Sequence, residues 1–262
     1  MPKRFSDEAL VLRTYNVGEA DRFCILLTQH HGRIALRGHG LRRLQSSRGP
    51  SVLPLNRIAV SWDERSVGGF ISDAVVLESF ADCSKHLPSF SCAQQGIELL
   101  LQLITDGPQV SIAESDNGLY PLCCDFLRAC SRPHTAILFD AFVIKLFTEL
   151  GTMPSLTLSC VNHRAMDSAD ALVFSVQRGG FCTFAEDPHG SRLPTDLYQL
   201  LLTLSRAELG SLPQADDTHA RLLRQLVYCL AGSHVGSLKS PLVASRLSSG
   251  VTPTKNDSGR GS

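Results

Sequence analysis

Between Arg22 and Trp62 the chain contains no aspartate and no glutamate, although its 25 acids and 25 bases balance over 262 residues. That gap excludes charge neutralisation from within the stretch. Arg22, Arg33, Arg37, Arg42, Arg43, Arg48 and Arg57 carry its charge, with His30, His31 and His39 between them. Also missing is any apolar run near the ~20 residues that cross a bilayer. The longest candidates, 97–104 and 136–150, are broken by Gln102, Asp140, Lys145 and Glu149, so no membrane association is expected. The first residues hold Lys3 and Arg4 but no apolar segment of signal-peptide kind, which makes the cytoplasm the expected location. There is no G-x-S-x-G elbow, no P-loop and no G-x-G-x-x-G turn, which removes the commonest hydrolase and nucleotide sites.

What is present describes an ordinary folded protein, with 43% apolar and 19% charged residues. Nine cysteines form an odd, scattered set, and Cys24, Cys92, Cys123, Cys124, Cys130 and Cys229 sit among apolar neighbours. They read as reduced, buried thiols rather than a disulfide framework.

Five short apolar runs, at 8–15, 22–28, 33–37, 52–62 and 70–78, are separated by turns at hairpin spacing. That pattern predicts a small five-stranded barrel of OB type over residues 1–82. From His86 the period lengthens to that of helices. Helices are expected up to about residue 104, then over 117–130, 135–150, 193–204 and 219–230. The run 135–150 is apolar on most faces, as the centre of an α-helical domain would be, and Gly151 suits its left-handed cap. This helical domain is placed at 83–247, giving an α+β chain of two parts. The tail 248–262, rich in Ser, Gly, Thr and Pro, is expected to be disordered.

The chemistry concentrates in two places. In the first, Arg33 leads through Arg37-Gly38-His39-Gly40 to Arg42, Arg43 and Arg48. The stretch reads as a flexible, arginine-lined loop that cannot itself form a core. It suits a polyanion, or it is a solvated basic loop. Tyr15 and Trp62 offer rings for base stacking, although each lies at a strand end where core packing accounts for it equally well. The second place is a polar insertion at 155–192. Cys160-x2-His163 and Cys182 resemble a zinc knuckle, but Ala185 stands where the fourth ligand belongs, and His189 is a substitute four residues on. The segment reads as a degenerate, metal-free turn, a structural zinc site or a three-ligand catalytic zinc.

The order of landmarks resembles one family. Ala9-Leu-Val-Leu-Arg13, Gly18-Glu19-Ala20-Asp21-Arg22, Leu27-Thr28, Gly32-Arg33, Ala35-Leu-Arg37-Gly38, Arg42-Arg43 and Leu53-Pro-Leu55 run through the first third. Phe142-Val-Ile-Lys-Leu-Phe147, Gly151, Pro154, Gly179-Gly180-Phe181-Cys182 and Leu238-Lys239-Ser240 follow. Over residues 8–247 the chain resembles the RecO family of bacterial DNA repair and recombination mediators. The resemblance implies an OB barrel, a helical domain with a knuckle-like insertion, and a nucleoid-associated protein that is not an enzyme. It implies binding and annealing of single- and double-stranded DNA, with RecR and the C-terminal tail of the single-strand binding protein SSB as partners. RecA would be loaded indirectly. By position, the family's DNA-contacting loop falls on Arg37, Arg42, Arg43 and Arg48, with Arg33 beside them and Arg22 and Arg57 at the border. Arg132 and Lys145 are cations of the helical part that read as ordinary solvated or snorkelling residues, or as partners for an acidic tail. The departures at His163 and Ala185 put zinc, and with it any cofactor, in doubt. The rival readings are an OB-type RNA-binding module, a small zinc hydrolase on Cys160, His163, Cys182 and His189, and a pure protein adaptor.

Overall fold

The computed structural model describes residues 3–64, 69–105, 118–133, 135–167 and 170–234. The expected turn at 65–68, the stop at 106–108, the Leu238-Lys239-Ser240 landmark and the tail at 248–262 lie outside the described residues. Five strands open the chain: β1 (Lys3–Val17), β2 (Asp21–Thr28), β3 (Arg33–Gly38), β4 (Asn56–Glu64) and β5 (Gly69–Ser79). They close into a barrel in the order β1-β2-β3-β5-β4, antiparallel except for β3 against β5. That is the five-stranded, OB-like arrangement the alternation predicts.

Two boundaries differ from the sequence pattern. β1 starts at Lys3 rather than residue 8, because its polar first residues pair with the end of β4 from Lys3↔Glu64 onward. Arg4 reaches Asp63 across that pair at 2.9 Å. β4 starts at Asn56 rather than residue 52. Pro54 has no N–H to give a ladder, and Leu55 adopts a left-handed φ of 68°. Val52 and Leu55 are apolar because they are buried, not because they lie in a strand.

After a 3-10 turn (Ala81–Lys85) come α1 (Leu87–Leu103), α2 (Leu119–Cys130) and α3 (Leu138–Glu149). A three-stranded sheet follows, β6 (Leu172–Ser175), β7 (Gly180–Thr183) and β8 (Ser191–Arg192), then α4 (Thr195–Arg206) and α5 (Asp217–His234). Nearly every residue of α3 is buried. Its buried acid, Asp140, accepts two hydrogen bonds from Arg224 of α5, at 2.6 and 2.8 Å. A buried carboxylate is tolerable only when so compensated.

The barrel has an inside and a covered outside. Ala9, Val11, Cys24, Leu26, Leu36, Ile58, Val60 and Ile71 fill the interior. On the outer surface Leu10, Leu12, Leu27, Leu55 and Phe80 join the core of the helices. β1 is therefore buried on both faces in its middle, which is why residues 9–12 are apolar without a break. Charged contacts reinforce the junction. Arg57 of β4 binds Glu8 at 2.7 Å and Glu78 at 3.3 Å, and Glu78 receives Arg128 of α2 at 2.7 Å.

Candidate nucleic-acid interface

The loop between β3 and β4 is anchored rather than free. Leu41 and Val52, both within it, are buried in the barrel's interior cluster. The expectation of a flexible loop that cannot itself form a core is thus corrected: Leu41 and Val52, near its two ends, join the barrel's interior cluster, while its polar middle and Leu44 stay outside. Gly38 is required beneath Leu41, since a Cβ there would collide with the Leu41 side chain. Gly40 turns the chain with φ +67°, a conformation that glycine adopts at little cost.

Asp21, the residue just before the acid-free stretch, holds the loop's first turn. Its carboxylate accepts the Gly40 N–H at 3.0 Å, His39 Nδ1 at 2.8 Å and the Arg37 guanidinium at 3.0 Å. The Gly40 amide and the His39 and Arg37 contacts hold this carboxyl at about 2. Arg42 then lies over the β1–β2 turn, with its N–H on the Ala20 carbonyl at 2.9 Å and its Nη1 on the Gly18 carbonyl at 2.9 Å. On the far side Arg22 binds the Gly49 carbonyl at 3.1 Å.

The five arginines singled out by sequence divide by what their guanidiniums do. Arg33 is turned toward the helices and donates to the Leu101 carbonyl of α1 at 2.7 Å. Arg48 donates to the Ser72 and Ile71 carbonyls of β5 at 2.8 and 3.3 Å, strapping the loop down. Arg37 shares its charge with Asp21. Arg42 and Arg43 are exposed, and among the described residues neither has a carboxylate partner. Of the two border residues, Arg22 helps close the loop and Arg57 belongs to the barrel–helix junction. Trp62 is only 6% exposed and stacks on Phe5 at 5.4 Å inside the barrel, so it offers no face to a base.

Strand register assembles a surface that inspection of the loop alone does not find. Tyr15 pairs with Phe23, Phe23 with Arg37, and Arg37 with Phe70, in one row across β1, β2, β3 and β5. Cys24, Leu36 and Ile71, their neighbours along the strands, point into the barrel. Alternation therefore turns the row outward. Tyr15 is 47% and Phe23 37% exposed. His39 stacks on Phe70 with ring centroids 4.8 Å apart. Arg13, two residues before Tyr15 and opposite Ile25, lies on the same face, with no carboxylate partner among the described residues. Arg13, Phe23 and Phe70 were missed as site residues; pairing β1 with β2 through the turn at 18–20 is the signal that would have found them.

The Cys/His segment behaves differently. Cys160 donates its N–H to the Phe181 carbonyl at 2.8 Å and packs against Gly180, where a Cβ would lie 2.7 Å from the Cys160 Cβ. Cys182 is buried in β7, and burial pushes its thiol up to about 11. His163 is exposed, with a left-handed φ of 59°, and both Ala185 and His189 are exposed. Among the described residues, no group of three or more His, Cys, Asp or Glu side chains is placed to hold a metal ion. The side chains of Cys160 and Cys182 are brought together, but no third candidate ligand joins them among the described residues, so the residues present do not make up a zinc ligand set. Glu186 gathers the segment instead, accepting the Ser159 hydroxyl at 2.9 Å and the Thr183 N–H and hydroxyl at 2.9 and 3.0 Å.

On the helical part, four cations (Arg128, Arg132, Lys145 and Arg206) and two acids (Asp125 and Glu208) line a groove of about 430 Å³ together with Leu122, Ala129 and Leu209. Lys145 donates to the Ser205 carbonyl at 3.2 Å, and burial lowers its pKa. Among the described residues, no helix is long and apolar enough to cross a membrane.

Comparison with known proteins agrees with this geometry. The family profile for the N-terminal part of recombination protein O matches residues 1–80, and that for its C-terminal part matches residues 85–241. The chain is 26% identical over 213 residues to the DNA repair protein RecO of Bifidobacterium adolescentis, covering 79% of this chain and 84% of that one. It is 26% identical over 232 residues to the RecO of Exiguobacterium sp., covering 87% and 89%. For the RecO of Chlorobium phaeobacteroides the identity is 26% over 256 residues, covering 91% and 97%. With both of its halves matched in order, this chain belongs to the recombination protein O (RecO) family.

Proposed function

We propose that the protein is a non-enzymatic, cofactor-free DNA-binding recombination mediator acting in DNA repair. The observation that carries this reading is the pair Arg42 and Arg43: exposed, unpaired with any described acid, and set on a loop fixed by Leu41 and Asp21. A cation with no internal carboxylate to neutralise it gains most from a phosphate, and a fixed loop loses little conformational freedom on binding. Phosphate contacts carry no sequence information, so binding is weakly sequence-specific and strongly salt-dependent. Annealing of complementary strands follows if this surface screens the repulsion between two backbones while leaving the bases free to pair.

RecR, SSB and, indirectly, RecA are the partners that membership of the family suggests. The groove with Arg132 and Lys145 has four cations to two acids and apolar side chains in its lining, a combination that suits an acidic, hydrophobic tail such as that of SSB. Binding of a labelled oligonucleotide over a range of salt concentrations tests the core of the reading. Replacing both Arg42 and Arg43 with Ala lowers affinity and flattens the plot of log K against log salt by about one to two ion equivalents. An unchanged slope removes this loop from the binding surface.

A further inference from the structure

The charges around the aromatic row are distributed unevenly. Arg37 and His39, which adjoin it, are both tied to Asp21, so this part of the face is close to neutral. Arg42 is held to the Gly18 carbonyl at the β1–β2 turn, and Arg43 follows it, its side chain over Gly40. Gly18, in the turn just after β1, is three residues from Tyr15 and so within about 10 Å of it at the ~3.3 Å rise of an extended chain. Arg13 lies on the other side of Tyr15. An exposed apolar strip is thus bracketed by cations that have no carboxylate partner among the described residues. That is the layout of a surface on which a polyanion crosses from one cation to the next and lays its flat, uncharged parts between them.

We propose that Tyr15 and Phe23 form a stacking subsite for unpaired nucleobases, and that this subsite distinguishes single-stranded from duplex DNA. The inference rests on the DNA-binding reading above and adds a division of labour within it. Arg42, Arg43 and Arg13 meet phosphates, which single strands and duplexes both present. The rings of Tyr15 and Phe23 meet base faces, which a duplex keeps inside its stack. A ring lying on an exposed strand gives every base a face to stack on, whatever its sequence. Stacking releases no counterions, so it adds affinity without adding to the salt dependence. Phe70 at the end of the row is already faced by His39, and the subsite therefore centres on the two more exposed rings.

The test uses the full chain and fluorescence anisotropy, with one oligonucleotide as a single strand and as a blunt duplex, each at several salt concentrations. Two double variants are compared with the wild type, Tyr15→Ala with Phe23→Ala and Tyr15→Leu with Phe23→Leu. The leucines keep apolar bulk on the strands and remove only the aromatic face. The expected result is a loss of single-strand affinity on the order of tenfold per ring. Duplex affinity changes less than about twofold to threefold, with both salt slopes unchanged, since only the stacking contribution is removed. A 2-aminopurine placed in the strand is quenched by the wild type and not by the leucine variant. Equal losses for single strand and duplex, or no loss for the single strand, overturn the stacking subsite while leaving the arginine loop in place. Failure of the wild type to bind either form at low salt overturns the DNA reading itself, and the subsite with it.

Discussion

The loop between β3 and β4 and the Cys/His segment near β6 and β7 have much in common. Both are polar, glycine-containing and rich in residues that attract functional readings, and each is gathered by one carboxylate, Asp21 in the first and Glu186 in the second. They differ in what the conspicuous side chains do. In the basic loop, apolar plugs and a carboxylate set the backbone, which leaves Arg42 and Arg43 outside as unpaired charge. In the Cys/His segment the residues that look like ligands belong to the architecture. Cys182 is buried in β7 opposite Val173 and against the Cys160 side chain, Cys160 also joins the segment to β7 through its backbone, and His163 occupies a turn. A residue type points to chemistry only when its side chain has been left without a structural task.

The largest expected effect tests whether the basic loop is truly seated. Replacing Leu41 with Ala removes a side chain that is 2% exposed and should destabilise the protein by about 3 kcal/mol. The smaller Cys182→Ala change should cost only about 1 kcal/mol. Urea denaturation of the two variants gives the comparison directly. A Leu41→Ala cost below that of Cys182→Ala would mean that the loop is not anchored as described.

An intermediate effect concerns His163. Its φ of 59° is unfavourable for any residue with a Cβ. His163→Gly should therefore leave stability unchanged or raise it by up to about 1 kcal/mol, with DNA affinity unaltered. A metal-binding role would appear instead as a loss of stability that a chelator reproduces in the wild type.

The smallest effect is in acid. Asp21 stands at about 2 against an ordinary 3.8, and Glu186 is also lowered, chiefly by the Thr183 N–H. A carboxyl depressed in the folded state contributes stability that is complete above its ordinary value and lost as pH falls through its folded value. For Asp21 that window runs from about 4 down to about 2. An NMR titration of the two carboxyls should find both still charged where exposed carboxylates are half protonated. Asp21→Asn should remove the Asp21 part of the acid transition and leave the Glu186 part intact.

The barrel was legible because its strands alternate: in β2, Cys24 and Leu26 go in while Phe23 and Ile25 go out. The long helices announced themselves through apolar spacing, and α3 through its near absence of polar positions. The site was legible as a region and not as residues. Arg33 and Arg37 are four apart on the same strand and face, and nothing local separates them. Their fates diverge because α1 covers one end of that face and not the other, a fact of packing at a sequence distance of 68 residues. Asp21 was overlooked because it lies just outside the acid-free stretch, and its role depends on the register that brings β2 beside β3. Trp62 illustrates the opposite hazard: a strand-end aromatic that looks available is enclosed by Phe5 and His31 from the barrel mouth.

The doubly buried middle of β1 carries one further consequence. Leu10, Leu12, Leu27, Leu55 and Phe80 are almost wholly shielded by the helices, so the barrel's outer wall is finished by residues that follow it in the chain. A fragment cut just after Phe80 would display those five side chains as a contiguous sticky patch and would tend to self-associate. The two halves are thus expected to melt in a single transition, and dissecting this protein is better done by point substitution than by truncation.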